Sequence, residues 1–440
     1  MKTDVMKKSV TFLYTLLLSC SGLVGSLPGA NATPLVNTDS LSSEIRRQLG
    51  GPAAKELLFP QSVKRFYASR SFHPAWFKPQ TGEGPTWQAM LMIDCTEQFG
   101  LAGANYHQNE LLYNTLHDIL ETPGTVSAGR QARFDMLLSD AMIAYMNNLH
   151  YGRKNPVYTA GKVDRGIPDG FQSEKMLARA LEQTDLISMI TSVQPNDKQY
   201  RDLQYQLYLL TGLHSGDNYQ VSAADIKGMT LSMERLRWAS AAAGPFIQVN
   251  IAAYTLTLYE PDSAYSFRII VGNPQHQTSG LQTAINALVT ATGEDSSQMT
   301  LPTAPPEIIP EKPANRPNLF YPGAANSFII RPQGKREQKQ FNRAQRDLSD
   351  GSIRVEHPEQ LAALLLRYDG AENKVAGMNK ALRAAQVRTF RLNKQVPVKI
   401  TYLTYLMKDG ELVTYKDIYG LDRSLEKALF NRNTQFVINY

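Results

Sequence analysis

Seven consecutive residues of the 440-residue chain, Ser349-Asp350-Gly351-Ser352-Ile353-Arg354-Val355, carry two hydroxyls, a carboxylate and a guanidinium. The reaction open to a hydroxyl here is attack on a carbonyl, which needs a base in place as the proton leaves. Lacking one typically costs on the order of 10²–10⁴ in rate. Asp350 is two residues from Ser352, and on an extended strand such side chains share a face about 7 Å apart, beyond hydrogen-bond reach. His357 stands at the start of a predicted helix, where a capping or surface role is expected. His276 follows a predicted strand and could approach a cleft. Lys335, Lys339 and Lys394 offer in principle the amine of serine–lysine chemistry, although the polar stretch 331–347 reads as a solvated face. Cys20 and Cys95 are the two cysteines, too few for a disulfide scaffold or a thiolate metal site. With no His/Cys/Asp cluster at ligand spacing and no phosphate-cradling glycine loop, no metal or other cofactor is expected.

The elements that must position these residues fall into two kinds. From about Thr33 to Asp225 the apolar spacing is helical, best seen at Phe134, Leu137, Leu138, Ala141, Met142, Tyr145 and Leu149, which predicts one buried stripe. Gly152 and Pro156 follow as stop signals. Shorter helical stretches are predicted at Ser62–Tyr67, at Trp87–Phe99 before Gly100, and at Tyr200–Leu210. Together they imply a helix bundle with Trp76, Trp87 and Cys95 as core or helix-contact residues. At Phe246 the period becomes strand-like: Phe246–Ile251, Tyr254–Tyr259, Phe267–Val271, Phe328–Ile330, Ile353–Val355, Val398–Leu406 and Leu412–Tyr415 are predicted strands, with Lys408-Asp409-Gly410 as a hairpin turn. Residues 293–325 are rich in Pro, Gly, Ser and Asn and read as an irregular excursion, and a helix is predicted from Pro358 to Leu366.

The N-terminus has Lys7 and Lys8, an apolar run from Val10 to Leu18, and Ala30-Asn31-Ala32. That order predicts a secretory signal peptide over residues 1–32 with cleavage after Ala32, because the run is too short to span a bilayer. Leu17-Leu18-Ser19-Cys20 has the shape of a lipoprotein processing site, and the alternative is a lipid anchor on Cys20. No later stretch is long and apolar enough to span. A formal net charge of +6 is mildly basic and scattered, so no nucleic-acid partner is expected.

Several blocks, in order, resemble the L,D-transpeptidases, and in particular their large Gram-negative subgroup with a helical scaffold domain. Met233-Glu234-Arg235-Leu236-Arg237-Trp238 is similar to the entry into the catalytic domain, Phe246–Glu260 to its first strand pair and Val271–Thr278 to a strand end. Val396-Pro397-Val398 and Asp417-Ile418-Tyr419-Gly420 are similar to its closing blocks. Phe72-His73-Pro74-Ala75-Trp76, Phe99-Gly100-Leu101 and Gly152-Arg153 resemble the scaffold domain. The resemblance implies a multidomain α plus β chain: a signal peptide (1–32), a helical scaffold domain (33–232), a β-rich L,D-transpeptidase-like domain (233–380), and C-terminal strands and helix completing the fold (381–440).

Through this resemblance Ser352 occupies the position of the family's nucleophilic cysteine, within a block where Ser349, Gly351, Ile353, Arg354 and Val355 fit. The family's catalytic histidine falls at Ile329-Ile330-Arg331-Pro332, which contains no histidine. A thiol ionises near pH 8.5 and lower beside an imidazolium, whereas a serine hydroxyl has no such reserve. The resemblance therefore implies an exported periplasmic protein of peptidoglycan biogenesis, catalytically silent, that binds peptidoglycan stem peptides or a wall-synthesis protein. Ser349, Gly351, Arg354 and His276 are its expected ligand contacts, with Arg354 facing an anionic group or held in a structural salt bridge. The alternative is an active transpeptidase or carboxypeptidase using Ser352 as nucleophile.

Overall fold

The structure, a computed structural model, describes residues 38–77, 84–122, 124–168, 170–211, 222–238, 244–280, 282–291, 298–299, 327–330 and 334–430. The expected leader, with Cys20 and Ala32, lies outside the described residues, as does all of 293–325 except 298–299.

The first half is helical: α1 (Thr38–Leu49), α2 (Pro60–Ser69), α3 (Pro85–Asp94), α4 (Tyr113–Glu121), α5 (Ala128–Tyr151), α6 (Ala160–Arg165), α7 (Ser173–Ala180), α8 (Leu186–Thr191), α9 (Lys198–Thr211) and α10 (Ala223–Trp238). Helix α5 differs from the expected single stripe, because it is buried on every side from Phe134 to Asn147. Its polar residues are what make this possible. Asp135 accepts from the backbone N–H groups of Ala75 and Trp76 and from the Tyr67 hydroxyl, and Ser139 accepts from the Trp76 indole at 2.9 Å. Asp140 accepts from the backbone N–H groups of Leu58 and Phe59. A buried acceptor left without donors would cost about 1–3 kcal/mol, so each carboxylate ties a neighbouring segment to α5. Trp76 is thus in the core, while Trp87 is 36% exposed and stacks on Tyr113.

The second half is a curled sheet of β1 (Phe246–Asn250), β2 (Thr255–Tyr259), β3 (Ala264–Gly272), β4 (Gln282–Thr290), β5 (Gln298–Met299), β6 (Ser327–Ile330), β7 (Asp347–Ser349), β8 (Ile353–Val355) and β9 (Arg388–Thr401). The strand order is β2-β1-β9-β4-β6-β5-β8-β3-β7, and β2 also pairs with β3, so the sheet closes on itself. Closure happens because β3 changes partner along its length: Ala264–Arg268 face β2, Ile269 and Ile270 face β8, and Val271 and Gly272 face β7. Between β6 and β7 lies α11 (Lys335–Phe341), with Phe341 buried. Helix α12 (Pro358–Tyr368) buries Leu361, Ala362, Leu365 and Leu366, an i, i+4 stripe, in the core with Phe328, Ile353 and Val355. Helix α13 (Lys374–Arg383) leads into β9.

The predicted strand 398–406 is broken in two. Strand β9 ends at Thr401, and β10 (Tyr405–Lys408) pairs with β11 (Glu411–Thr414) as a separate hairpin around Asp409-Gly410. The reason is packing: Leu403 and Leu406 join Leu203, Leu207, Met229 and Met233 of α9 and α10, away from the sheet core. Helix α14 (Leu421–Leu429) also packs on α10. A helical region followed by a β-rich domain is therefore the architecture, with α10 contacting both. Glu234 accepts from the Lys154 backbone at 2.6 Å, Arg237 donates to the Phe99 carbonyl, and Arg235 stacks on Tyr402 and pairs with Asp422.

Candidate functional site

The seven-residue stretch that opens the chemistry is two short strands, β7 and β8, joined by a turn at Asp350-Gly351. Gly351 has φ +104°, a conformation that disfavours any side chain with a Cβ. The turn is stapled from three sides. Ser349, 2% exposed, donates its hydroxyl to the Ser352 carbonyl at 2.6 Å. Thr278 donates to the Gly351 carbonyl at 2.9 Å, and Asn273 donates to the Ser349 carbonyl from both its backbone and its side chain.

The turn also overturns one expectation. Ser352 Oγ donates to Asp350 Oδ1 at 2.9 Å, although an extended strand would hold the two side chains apart. Residues 350–352 are bent, and the bend brings i and i+2 together. The contact does not make Asp350 a strong base. Hydrogen bonds from the Ser352 hydroxyl and from the backbone, with the nearby Arg354 charge, hold its carboxyl below the usual carboxylate range.

Other candidate bases are elsewhere. The backbone of His276 belongs to the site, since its N–H donates to Asn273 and its carbonyl packs on Gly272. Its side chain is exposed and makes no hydrogen bond or ion pair among the described residues. His357 occupies the first position before α12 with φ +51° and an exposed ring that caps nothing. Lys335 and Lys339 are exposed on α11, and Lys394 sits over the Tyr368 ring, 5.4 Å from its centroid. The 331–347 stretch is not simply a solvated face. Arg346 donates to the carbonyls of Ile269 and Tyr254, and Asp347 accepts from the Tyr254 hydroxyl at 2.9 Å, which fixes the entry to β7.

Arg354 lies on β8 between β3 and β5. It makes no ion pair among the described residues, so the expected salt bridge is not seen there. Its Nε is buried without a hydrogen-bond partner among the described residues. An orphaned guanidinium donor of this kind is unfavourable unless something accepts from it.

Sequence reasoning singled out Asp417-Ile418-Tyr419-Gly420 only as a resemblance, and the structure gives the block a task. The Tyr419 hydroxyl donates to the Gly272 carbonyl at 2.6 Å and accepts from the Thr278 backbone at 3.2 Å. Burial pushes the Tyr419 phenol up, so it stays a protonated donor at neutral pH. Its backbone is held in turn by Tyr402, whose hydroxyl donates to Asp417 at 2.6 Å. Gly272 is where these parts meet. A Cβ there would lie 2.0 Å from the His276 carbonyl oxygen and 2.8 Å from the Gly351 Cα. The signal in the sequence was a glycine at a strand end followed by Asn-Pro, which marks a close backbone approach.

Comparison with known proteins agrees with this layout. A family model described as Scaffold domain matches residues 61–207, from α2 into α9. A Haemophilus influenzae protein described as "Putative L,D-transpeptidase" is 24% identical over 426 residues, covering 86% of this chain and 81% of that protein. With its helical region matched by the scaffold model and its alignment to that relative running through the β-rich domain, the chain is similar to the L,D-transpeptidases over both of its halves.

Proposed function

We propose that this protein is exported to the periplasm and serves peptidoglycan biogenesis by binding, holding a stem peptide or a wall-synthesis partner at the Ser352 turn without transferring an acyl group. The observation that carries this reading is the state of the hydroxyl. Ser352 Oγ is a donor to a carboxylate held below its usual range. To attack a carbonyl it would have to give up its proton to that weak base, and no imidazole is hydrogen-bonded to it among the described residues. The unpaired Arg354 Nε supports a retained anion contact beside it. In the turn, Ser349 and Gly351 hold the shape while Arg354 meets the ligand.

The alternative, acyl transfer through Ser352, draws on the same short contact, since a carboxylate does touch the hydroxyl. Incubating the purified protein with a carbapenem and measuring intact mass separates the two. The binding reading expects unmodified protein, with sedimentation on purified sacculi weakened in Arg354→Ala. A stable adduct that disappears in Ser352→Ala would establish the alternative instead.

A further inference from the structure

A cleft of about 440 Å³ opens in the helical half between the Leu58-Phe59 turn, residues 104–110 and the C-terminal end of α5. It lies within the Scaffold match apart from its Leu58-Phe59 edge, and the Ser352 turn contributes nothing to its lining. Its size is within the range of small-ligand sites, roughly 300–1,000 Å³.

Two cations line it without a carboxylate of their own. Arg153 is fixed by donating to Asn105 Oδ1 at 3.0 Å and to the Leu429 carbonyl at 3.2 Å. Lys154 is exposed beside it, and its backbone N–H is tied to Glu234. Neither forms an ion pair among the described residues. The lining carboxylate, Glu110, is engaged by Arg133 at 2.6 Å, which also binds Glu56. The cleft is therefore net positive, with Arg153 already held in one geometry.

The rest of the lining is amide and apolar. Gln108 and Asn109 present amide groups, Asn105 being engaged by Arg153 and the Ala102 carbonyl and the Asn148 amide N–H by the Tyr106 hydroxyl, while Phe59 and Ala144 form a buried floor. Leu58, at 42% exposure, is an unusually open leucine on the rim. The wall is built under strain: His107 takes φ +56° with its Nε2 2.7 Å from the fully buried Asp140. Such backbone in a non-glycine residue costs of order 1–3 kcal/mol and persists where the surroundings hold it.

We infer that this scaffold cleft binds a carboxylate-bearing amino sugar or short glycopeptide. The guanidinium and ammonium take the carboxylate, the amides take hydroxyl and acetamido groups, and Leu58 packs on the apolar face of the sugar ring. The inference goes beyond the reading above, which places binding at the Ser352 turn.

The test is calorimetric titration of the mature protein with N-acetylmuramyl-L-alanyl-D-isoglutamine, and separately with uncharged diacetylchitobiose and inorganic phosphate. The expected result is glycopeptide binding that Lys154→Glu weakens about tenfold or more, the loss of one charge-assisted contact, and that Asn109→Ala weakens measurably. Both side chains can be changed without touching the backbone bond from Lys154 to Glu234, and a melting curve matching the wild type checks folding. Arg354→Ala is expected to leave this binding intact. No glycopeptide binding, equal binding of phosphate, or insensitivity to Lys154→Glu and Asn109→Ala in folded protein would overturn the inference. Loss in Arg354→Ala instead would move the ligand to the Ser352 turn, overturning this inference while supporting the proposed function.

Discussion

Ser352 Oγ lies 2.9 Å from Asp350 Oδ1 because Gly351, at φ +104°, turns the chain between them. The pair is a product of the turn, and its donor is the hydroxyl. That direction separates it from an activated nucleophile, in which the base must be able to keep the proton it takes.

The contact has a pH dependence with a definite sign. A carboxyl whose folded pKa is depressed contributes stability above its unfolded pKa and loses it as pH falls through the folded value. Ligand retention at this turn is therefore expected to be level from pH 7 down to about pH 4, the ordinary aspartate range, and to fall only below it. Sacculus sedimentation across pH checks this, and Asp350→Asn should flatten the acid limb. A loss centred near pH 6 to 7 would point instead to a histidine.

Tyr419→Phe removes the donor to Gly272 and the acceptor of Thr278 while keeping the ring stacked on Tyr402. The expected cost is about 1–3 kcal/mol, since a buried carbonyl and a buried N–H lose their partner. Urea unfolding measures it. Sacculus binding should weaken as well, because the same hydroxyl sets the Gly272–Thr278 loop against Gly351.

Gly272→Ala should be far more damaging than its one added carbon suggests. The new Cβ would press on backbone atoms of His276, Thr278 and Gly351, none of which can rotate away. A loss above about 4 kcal/mol is expected, at the extreme of single substitutions. Gly334→Ala, with nothing within 4 Å of the new carbon, is the control and should stay within about 0.5 kcal/mol. Thermal melting of both variants makes the comparison.

In the helical half, Asp135→Ala strands the N–H groups of Ala75 and Trp76 in one stroke and leaves the Tyr67 hydroxyl with Ser139 alone. The expected destabilisation is roughly 3–5 kcal/mol, several buried donors being left unpaired together. Asp135→Asn should cost less, because its amide oxygen still accepts. Circular dichroism melting distinguishes the two.

Much of this molecule was legible before any coordinates. Apolar spacing of three and four located α5, α9 and α12, and the change of period at Phe246 located β1 to β3. Glycines marked chain reversals at Gly100 and Gly351 because such positions need φ above zero, which is a local requirement. The hydroxyl at Ser352 is likewise a matter of residue type, as is the absence of histidine from 329–332.

What periodicity missed was decided by neighbours distant in the chain. The stripe on α5 became an all-round burial because Asp135, Ser139 and Asp140 find donors from residues 58–76. The strand from Val398 split at Tyr402 because Leu403 and Leu406 meet helices α9 and α10.

Local residue types thus determined that this protein pairs a helical region with a β-rich one and sets an alcohol, Ser352, between a carboxylate and a guanidinium in the chain. Only the folded chain decided that this alcohol donates a hydrogen bond to Asp350, and that Tyr419, from the far end of the sequence, holds the floor beneath it. The physical reason is that propensity and period depend on a few adjacent residues, whereas a hydrogen bond across some 147 positions exists only once packing has brought its partners within 3 Å.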